Sequence, residues 1–153
     1  MNRRSISLLL TWLVAGLAVG PGAVAQGVEK RLAIKGYDPV AYFTESRAAV
    51  GDARLEHEWD GAVYRFASAR HLELFKADPE RYLPQYAGLC TATMSRGAKL
   101  VGEPQHWLVL DGRLYLFGGP AGPDRMRADS VAMKARADEN WAKTAQVPPP
   151  SLR

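Results

Sequence analysis

Two Asp-Gly pairs, Asp60-Gly61 and Asp111-Gly112, constrain this chain more than any other feature of its sequence. A two-residue hairpin turn needs positive φ, which these residues tolerate, and each pair is flanked by apolar runs of strand length. In the stretch from Leu55 to Ala67, pairing Trp59 with Ala62 sets His57 opposite Tyr64 and Leu55 opposite Phe66. One face of that ribbon is then Leu55, His57, Trp59, Ala62, Tyr64 and Phe66. The other face sets Glu56 against Arg65, an oppositely charged cross-strand pair. Around the second turn, between His106 and Phe117, Val109 opposes Leu114, Leu108 opposes Tyr115 and Trp107 opposes Leu116. Both faces are apolar there, which predicts strands buried on both sides.

Helices follow from caps and periodicity. Asp38 before Pro39 reads as an N-cap with proline in the first turn, leading a short apolar helical turn through Val40, Ala41, Tyr42 and Phe43. Ser68 caps a helix over Ala69 to Ala77 that points Leu72 and Phe75 inward, and Asp78-Pro79-Glu80 opens a second short turn. Tyr86 to Lys99 is rich in small residues and has no clean period, which suits a packed turn followed by a short helix or loop. Pro123 to about Lys143 reads as one helix with Met126, Met133, Ala137 and Trp141 along a stripe. No internal repeat is evident. The expected fold is α+β: two antiparallel hairpins in one sheet, with short helices and a C-terminal helix packed on it.

The N-terminus reads differently. Arg3-Arg4, an apolar run from Leu8 to Val19, a Pro21-Gly22 break and Ala23-Val24-Ala25 together have the order of a secretory signal peptide cleaved after Ala25. The run is shorter than the about 20 residues that span a bilayer. The general secretory route is favoured over twin-arginine export, whose pattern Ser7 and Leu8 do not continue. The expected location is therefore periplasmic or secreted, with no integral membrane segment after cleavage. Residues 147–153, with three consecutive prolines, read as a disordered tail. Removing residues 1–25 takes two of the 20 basic residues and none of the 16 acidic ones. The balance of +2 that remains gives no electrostatic footprint for nucleic acid. The single cysteine, Cys90, excludes an intramolecular disulfide, so the domain must fold on its core alone.

No pattern for an enzyme is present. The three histidines do not stand in a protease-like context, and no paired carboxylates or Gly-x-Ser-x-Gly appear. Gly118-Gly119-Pro120-Ala121-Gly122 precedes a helix but lacks the Lys-Ser/Thr ending of a phosphate loop, and Pro120 removes an amide donor, so it reads as a turn.

An ordered set of segments resembles the YHS-domain family. It comprises Gly36 to Phe43, Trp59 to Ser68, Phe75 with Ala77 to Tyr82, Pro84-Gln85-Tyr86 with Cys90, the Trp107 to Leu116 hairpin, and Ala137 to Trp141. It covers nearly all of residues 26–146. The broader family is similar to cysteine-bearing modules associated with heavy-metal handling, so the resemblance implies a transition-metal site, copper first and zinc second. The chain departs from that pattern at two of three thiolate positions, which are Ala41 and Ala67; the third is His71, which can still ligate a metal. Soft metals prefer thiolate and imidazole donors in sets of several.

The candidate metal ligands are thus Cys90, His71 and Met94. Cys90 reads as a ligand or redox-active thiol, or else as a small buried hydrophobe. Met94 shares a helical face with it if the segment is helical. His71 comes from the resemblance; its alternative is a helix-surface histidine. The first functional expectation is a non-enzymatic periplasmic copper-binding protein. Two others stand beside it: a metal-free structural or interaction module with an exposed apolar patch, and a carrier of a small apolar ligand in an aromatic-lined cavity of at least about 300 Å³.

Overall fold

The computed structural model describes residues 30–145, so the expected signal peptide and C-terminal tail lie outside the described residues. The chain is α+β. Its elements are β1 (Arg31–Leu32), α1 (Ala41–Thr44), β2 (Asp52–Trp59), β3 (Ala62–Phe66), α2 (Ala69–Ala77), α3 (Pro79–Tyr82), α4 (Thr91–Met94), β4 (Glu103–Leu110), β5 (Arg113–Phe117), α5 (Gly122–Ala128) and α6 (Ser130–Thr144). Two of the caps that the sequence suggests are made, whereas Asp78, at the N-cap of α3, makes no side-chain capping bond. Asp38 Oδ1 accepts from the Val40 and Ala41 amides at 2.8 and 3.3 Å, and Ser68 Oγ accepts from the His71 amide at 3.1 Å.

Both Asp-Gly turns form, with Trp59 opposite Ala62 and Leu110 opposite Arg113. The pairs Glu56–Arg65, His57–Tyr64, Trp107–Leu116, Leu108–Tyr115 and Val109–Leu114 are as expected. Leu55 does not pair with Phe66. A register shift between Asp52 and Glu56 sets Asp52 opposite Phe66, and a matching shift lies between Glu103 and Trp107. A bulge of this kind bends the strand and lets each hairpin curl over its helices. From Leu114 to Phe117, β5 is buried on both faces, whereas β4 is only half-buried, with no further strand paired to it among the described residues.

The two hairpins do not share a sheet. One sheet has the order β1-β3-β2 and the other contains only β4 and β5. The free edge of β3 is taken by β1 in parallel, with Leu32 opposite Val63. On β5 the same edge is taken by Pro84, bridged in parallel to Leu114, and by Cys90, bridged to Leu116. Each inner strand is thus covered by its own lead-in, which leaves no inner edge for the other hairpin.

That parallel extends through the chain: the domain is two copies of one unit. Ile34, Lys35 and Gly36 form a left-handed turn, as do Tyr86, Ala87 and Gly88. The Gly51 amide donates to Gly36 O at 2.9 Å and the Gly102 amide to Gly88 O at 3.0 Å. The Asp38 amide donates to Ala49 O at 2.8 Å and the Cys90 amide to Leu100 O at 2.7 Å. Isolated bridges join Tyr37 to Val50 and Leu89 to Val101. Each unit continues into an Asp-Gly hairpin ending in a fully buried Phe (Phe66, Phe117) and a helix around another fully buried residue (Phe75, Met126). Each helix breaks at an Asp of nearly the same conformation: Asp78 at φ −152°, ψ 77° and Asp129 at φ −148°, ψ 66°. The single helix expected from Pro123 to Lys143 is therefore two. Asp129 Oδ1 accepts from the Ala132 amide at 3.2 Å and caps α6.

The units pack through two core clusters, one centred on Tyr42, Phe66 and Phe75 and one on Met94, Phe117 and Met126. Tyr42 donates to Pro104 O at 3.0 Å and Tyr86 to Asp138 Oδ1 at 2.8 Å, and burial pushes both phenols above their ordinary range. Among the described residues no helix is long and apolar enough to cross a membrane.

A side chain at Gly102 would place its Cβ 2.6 Å from Leu116 Cβ, whereas one at Gly119 would meet nothing within 4 Å. Gly102→Ala is expected to cost about 2 kcal/mol in urea denaturation and Gly119→Ala less than about 0.5 kcal/mol. Equal midpoints for the two variants would contradict this packing.

Candidate functional site

In the first unit, a buried carboxylate organises four donors. Asp38 is fully buried. Besides the two amides of α1, it accepts from the Ala67 amide at 2.7 Å and faces His71 Nδ1 at 2.6 Å through Oδ2. His71 is 5% exposed and projects from the first turn of α2. Its Nε2 stands 3.1 Å from Thr44 Oγ1 and 3.4 Å from Glu45 Oε1. This network joins the start of α1, the end of β3 and the start of α2. Carboxylate, imidazole and hydroxyl have the connectivity of a hydrolytic triad. However, Thr44 Oγ1 also donates to Val40 O at 3.1 Å, which ties it back to its own helix. The arrangement is a structural clamp: a buried carboxylate is stable only when its lone pairs are met, and here each oxygen accepts two bonds.

In the second unit, Cys90 takes the place of Asp38, as the matching amide bonds to Ala49 O and Leu100 O show. The residue matching His71, counted back from the buried pair Phe75 and Met126, is Gly122. The segment that brings an imidazole to Asp38 in one unit is thus the turn Gly118–Gly122 in the other. A pocket of about 250 Å³ opens there, lined by Cys90, Thr93, Arg96, Phe117, Gly118–Gly122 and Arg125, with Leu100 at its wall. Thr93 Oγ1 donates to Cys90 Sγ at 3.2 Å. Cys90 is 4% exposed and lines an open pocket.

The three candidate ligands are not brought to one place. His71 belongs to the Asp38 network. Met94 is fully buried in the second core cluster, where its sulfur accepts from Thr144 Oγ1 at 4.0 Å, and it does not line the pocket of Cys90. Both ring nitrogens of His71 already face protein partners, and among the described residues no group of three or more His, Cys, Asp or Glu is placed to hold a metal. The donor set does not fit a closed copper or zinc site, which takes several thiolate or imidazole ligands. The exposed large apolar residues, Val50, Trp59, Leu100 and Val131, are scattered over different parts of the chain.

Sequence reasoning missed two things. It placed Asp38 as a cap without its bond to His71, a contact between distant positions that no local pattern signals. It read the glycine turn correctly as a turn, yet missed that Gly122, standing where the other unit has His71, leaves that space open. Arg96 and Arg125 gave no signal, since lone arginines are ordinary surface residues.

Asp38→Ala strips the Val40, Ala41 and Ala67 amides and His71 of their acceptor. It is expected to cost about 3 kcal/mol or more in chemical denaturation, while Cys90→Ala costs less than about 2 kcal/mol. A near-neutral Asp38→Ala would show that the clamp does not hold the first unit.

No family model, no curated protein and no solved structure matches this chain.

Proposed function

We propose that the chain is an exported, non-enzymatic binding domain of the YHS type, and that its ligand site is the pocket over Cys90. The observation that carries this reading is the contrast between the two units. One fills the position beside Asp38 with His71 and satisfies every polar atom there. The other sets a thiol where Asp38 stands and leaves a pocket of about 250 Å³ beside it. Ligand sites are concave, largely apolar and furnished with a few polar groups, and the Cys90 pocket has that composition. Its size suits a ligand smaller than the cavity of at least about 300 Å³ expected of an apolar carrier. Export rests on the signal-peptide pattern, and the expected proof is a protein recovered outside the cytoplasm with Gln26 as its first residue.

The test is an amide NMR screen of small-molecule mixtures and of Cu(I) against the purified protein, beside Gly119→Phe. That substitution adds a ring at a position whose Cβ meets nothing within 4 Å. Shifts confined to the amides of Cys90, Thr93, Gly118, Gly119, Ala121 and Gly122, lost in Gly119→Phe while the remaining spectrum is kept, are expected. Shifts that survive Gly119→Phe would place the site elsewhere. A stoichiometric Cu(I) complex lost in Cys90→Ala but kept in Gly119→Phe would favour the metal reading instead.

A further inference from the structure

We infer that the pocket over Cys90 holds a small organic anion, a carboxylate or like oxyanion on a short apolar body. This rests on the binding-site reading above and names its ligand class. The argument comes from charges that change between the two units. In the first, Glu45 directly precedes the left-handed residue Ser46, and its carboxylate faces the His71 ring. In the second, the residue directly before the left-handed Gly97 is Arg96, and it lines the pocket. Arg125, which matches Leu74 one residue before the buried pair Phe75 and Met126, lines it as well. An acidic residue beside an imidazole has become two guanidinium groups beside an open space, and no acidic side chain lines that space.

The two arginines are also exposed and free to take a ligand. Arg47, Arg54, Arg65 and Arg127 each pair with a carboxylate. Among the described residues, neither the Arg96 nor the Arg125 guanidinium has a hydrogen bond or ion pair. A guanidinium presents a planar fork of donors that matches a carboxylate in a bidentate pair. Leu100, Phe117 and Pro120 supply apolar lining, which favours an organic body over a bare inorganic ion.

The test is an NMR titration with benzoate, its neutral isostere benzamide, and inorganic phosphate, at about 0.05 M and about 0.5 M NaCl. The inference predicts that benzoate shifts the Thr93, Gly118 and Gly119 amides and that benzamide binds at least about tenfold more weakly. Affinity for benzoate should fall with salt. Arg96→Gln and Arg125→Gln should each weaken benzoate about tenfold, and Arg136→Gln, an exposed residue on α6 outside the pocket, should leave it unchanged. Three results overturn the inference. Benzamide binding as well as benzoate, with both lost in Gly119→Phe, rejects the anion and leaves the pocket as the site. Phosphate matching benzoate, with neither lost in Gly119→Phe, reduces the arginines to a surface charge and speaks against the pocket too. No response of those amides to benzoate rejects the anion, and the mixture screen then decides the pocket by itself.

Discussion

The hydrogen bonds from the Gly51 amide to Gly36 O and from the Gly102 amide to Gly88 O hold each left-handed turn against the strand that enters its hairpin. Much else depends on them. They fix where the next residues, Asp38 and Cys90, meet the chain, and those residues add their own bonds to Ala49 O and Leu100 O. They also require glycine: a Cβ at Gly51 would lie 2.5 Å from Arg65 Cβ, and one at Gly102 lies as close to Leu116. Strand entry, helix entry and the inner strand of each hairpin are therefore set by main-chain contacts that occur twice.

From that shared frame the units diverge in a physically simple way. The first places a carboxylate at the crossing of α1, β3 and α2 and neutralises its burial with three amides and an imidazole. Such a network rigidifies because each lost partner would strand a buried charge. The second places a thiol there, which tolerates an apolar setting without partners. Freed from satisfying a carboxylate, the second unit needs no imidazole, and its turn Gly118–Gly122 leaves the pocket open. The metal site implied by the resemblance required Cys90 and His71 to converge, yet they lie in different units: Cys90 stands where Asp38 does, and His71 where the second unit has Gly122.

The hairpins were legible in the sequence because Asp-Gly turns and alternating apolar residues encode them locally. The pairing of Glu56 with Arg65 and of Trp107 with Leu116 followed directly. The bulges near Asp52 and Glu103 were not legible, since a register shift depends on what the strand curls around. The repeat was hidden for a related reason. Hydrogen bonds between main-chain groups constrain few side chains, so the units share little beyond glycines at the turns, the Asp-Gly pairs, Tyr64 with Tyr115, Phe66 with Phe117, and Ala77-Asp78 with Ala128-Asp129. The site was legible only as isolated residues: Cys90 stood out by being alone, while Arg96 and Arg125 acquire meaning only from the pocket that they share.

The most direct measurement is a crystal structure of the protein grown with benzoate. The account predicts the ring against Phe117 and Leu100, the carboxylate facing Arg96 and Arg125, and His71 still closed on Asp38. A pocket without ligand density, with Arg96 or Arg125 instead paired to a carboxylate of the protein itself, would contradict it.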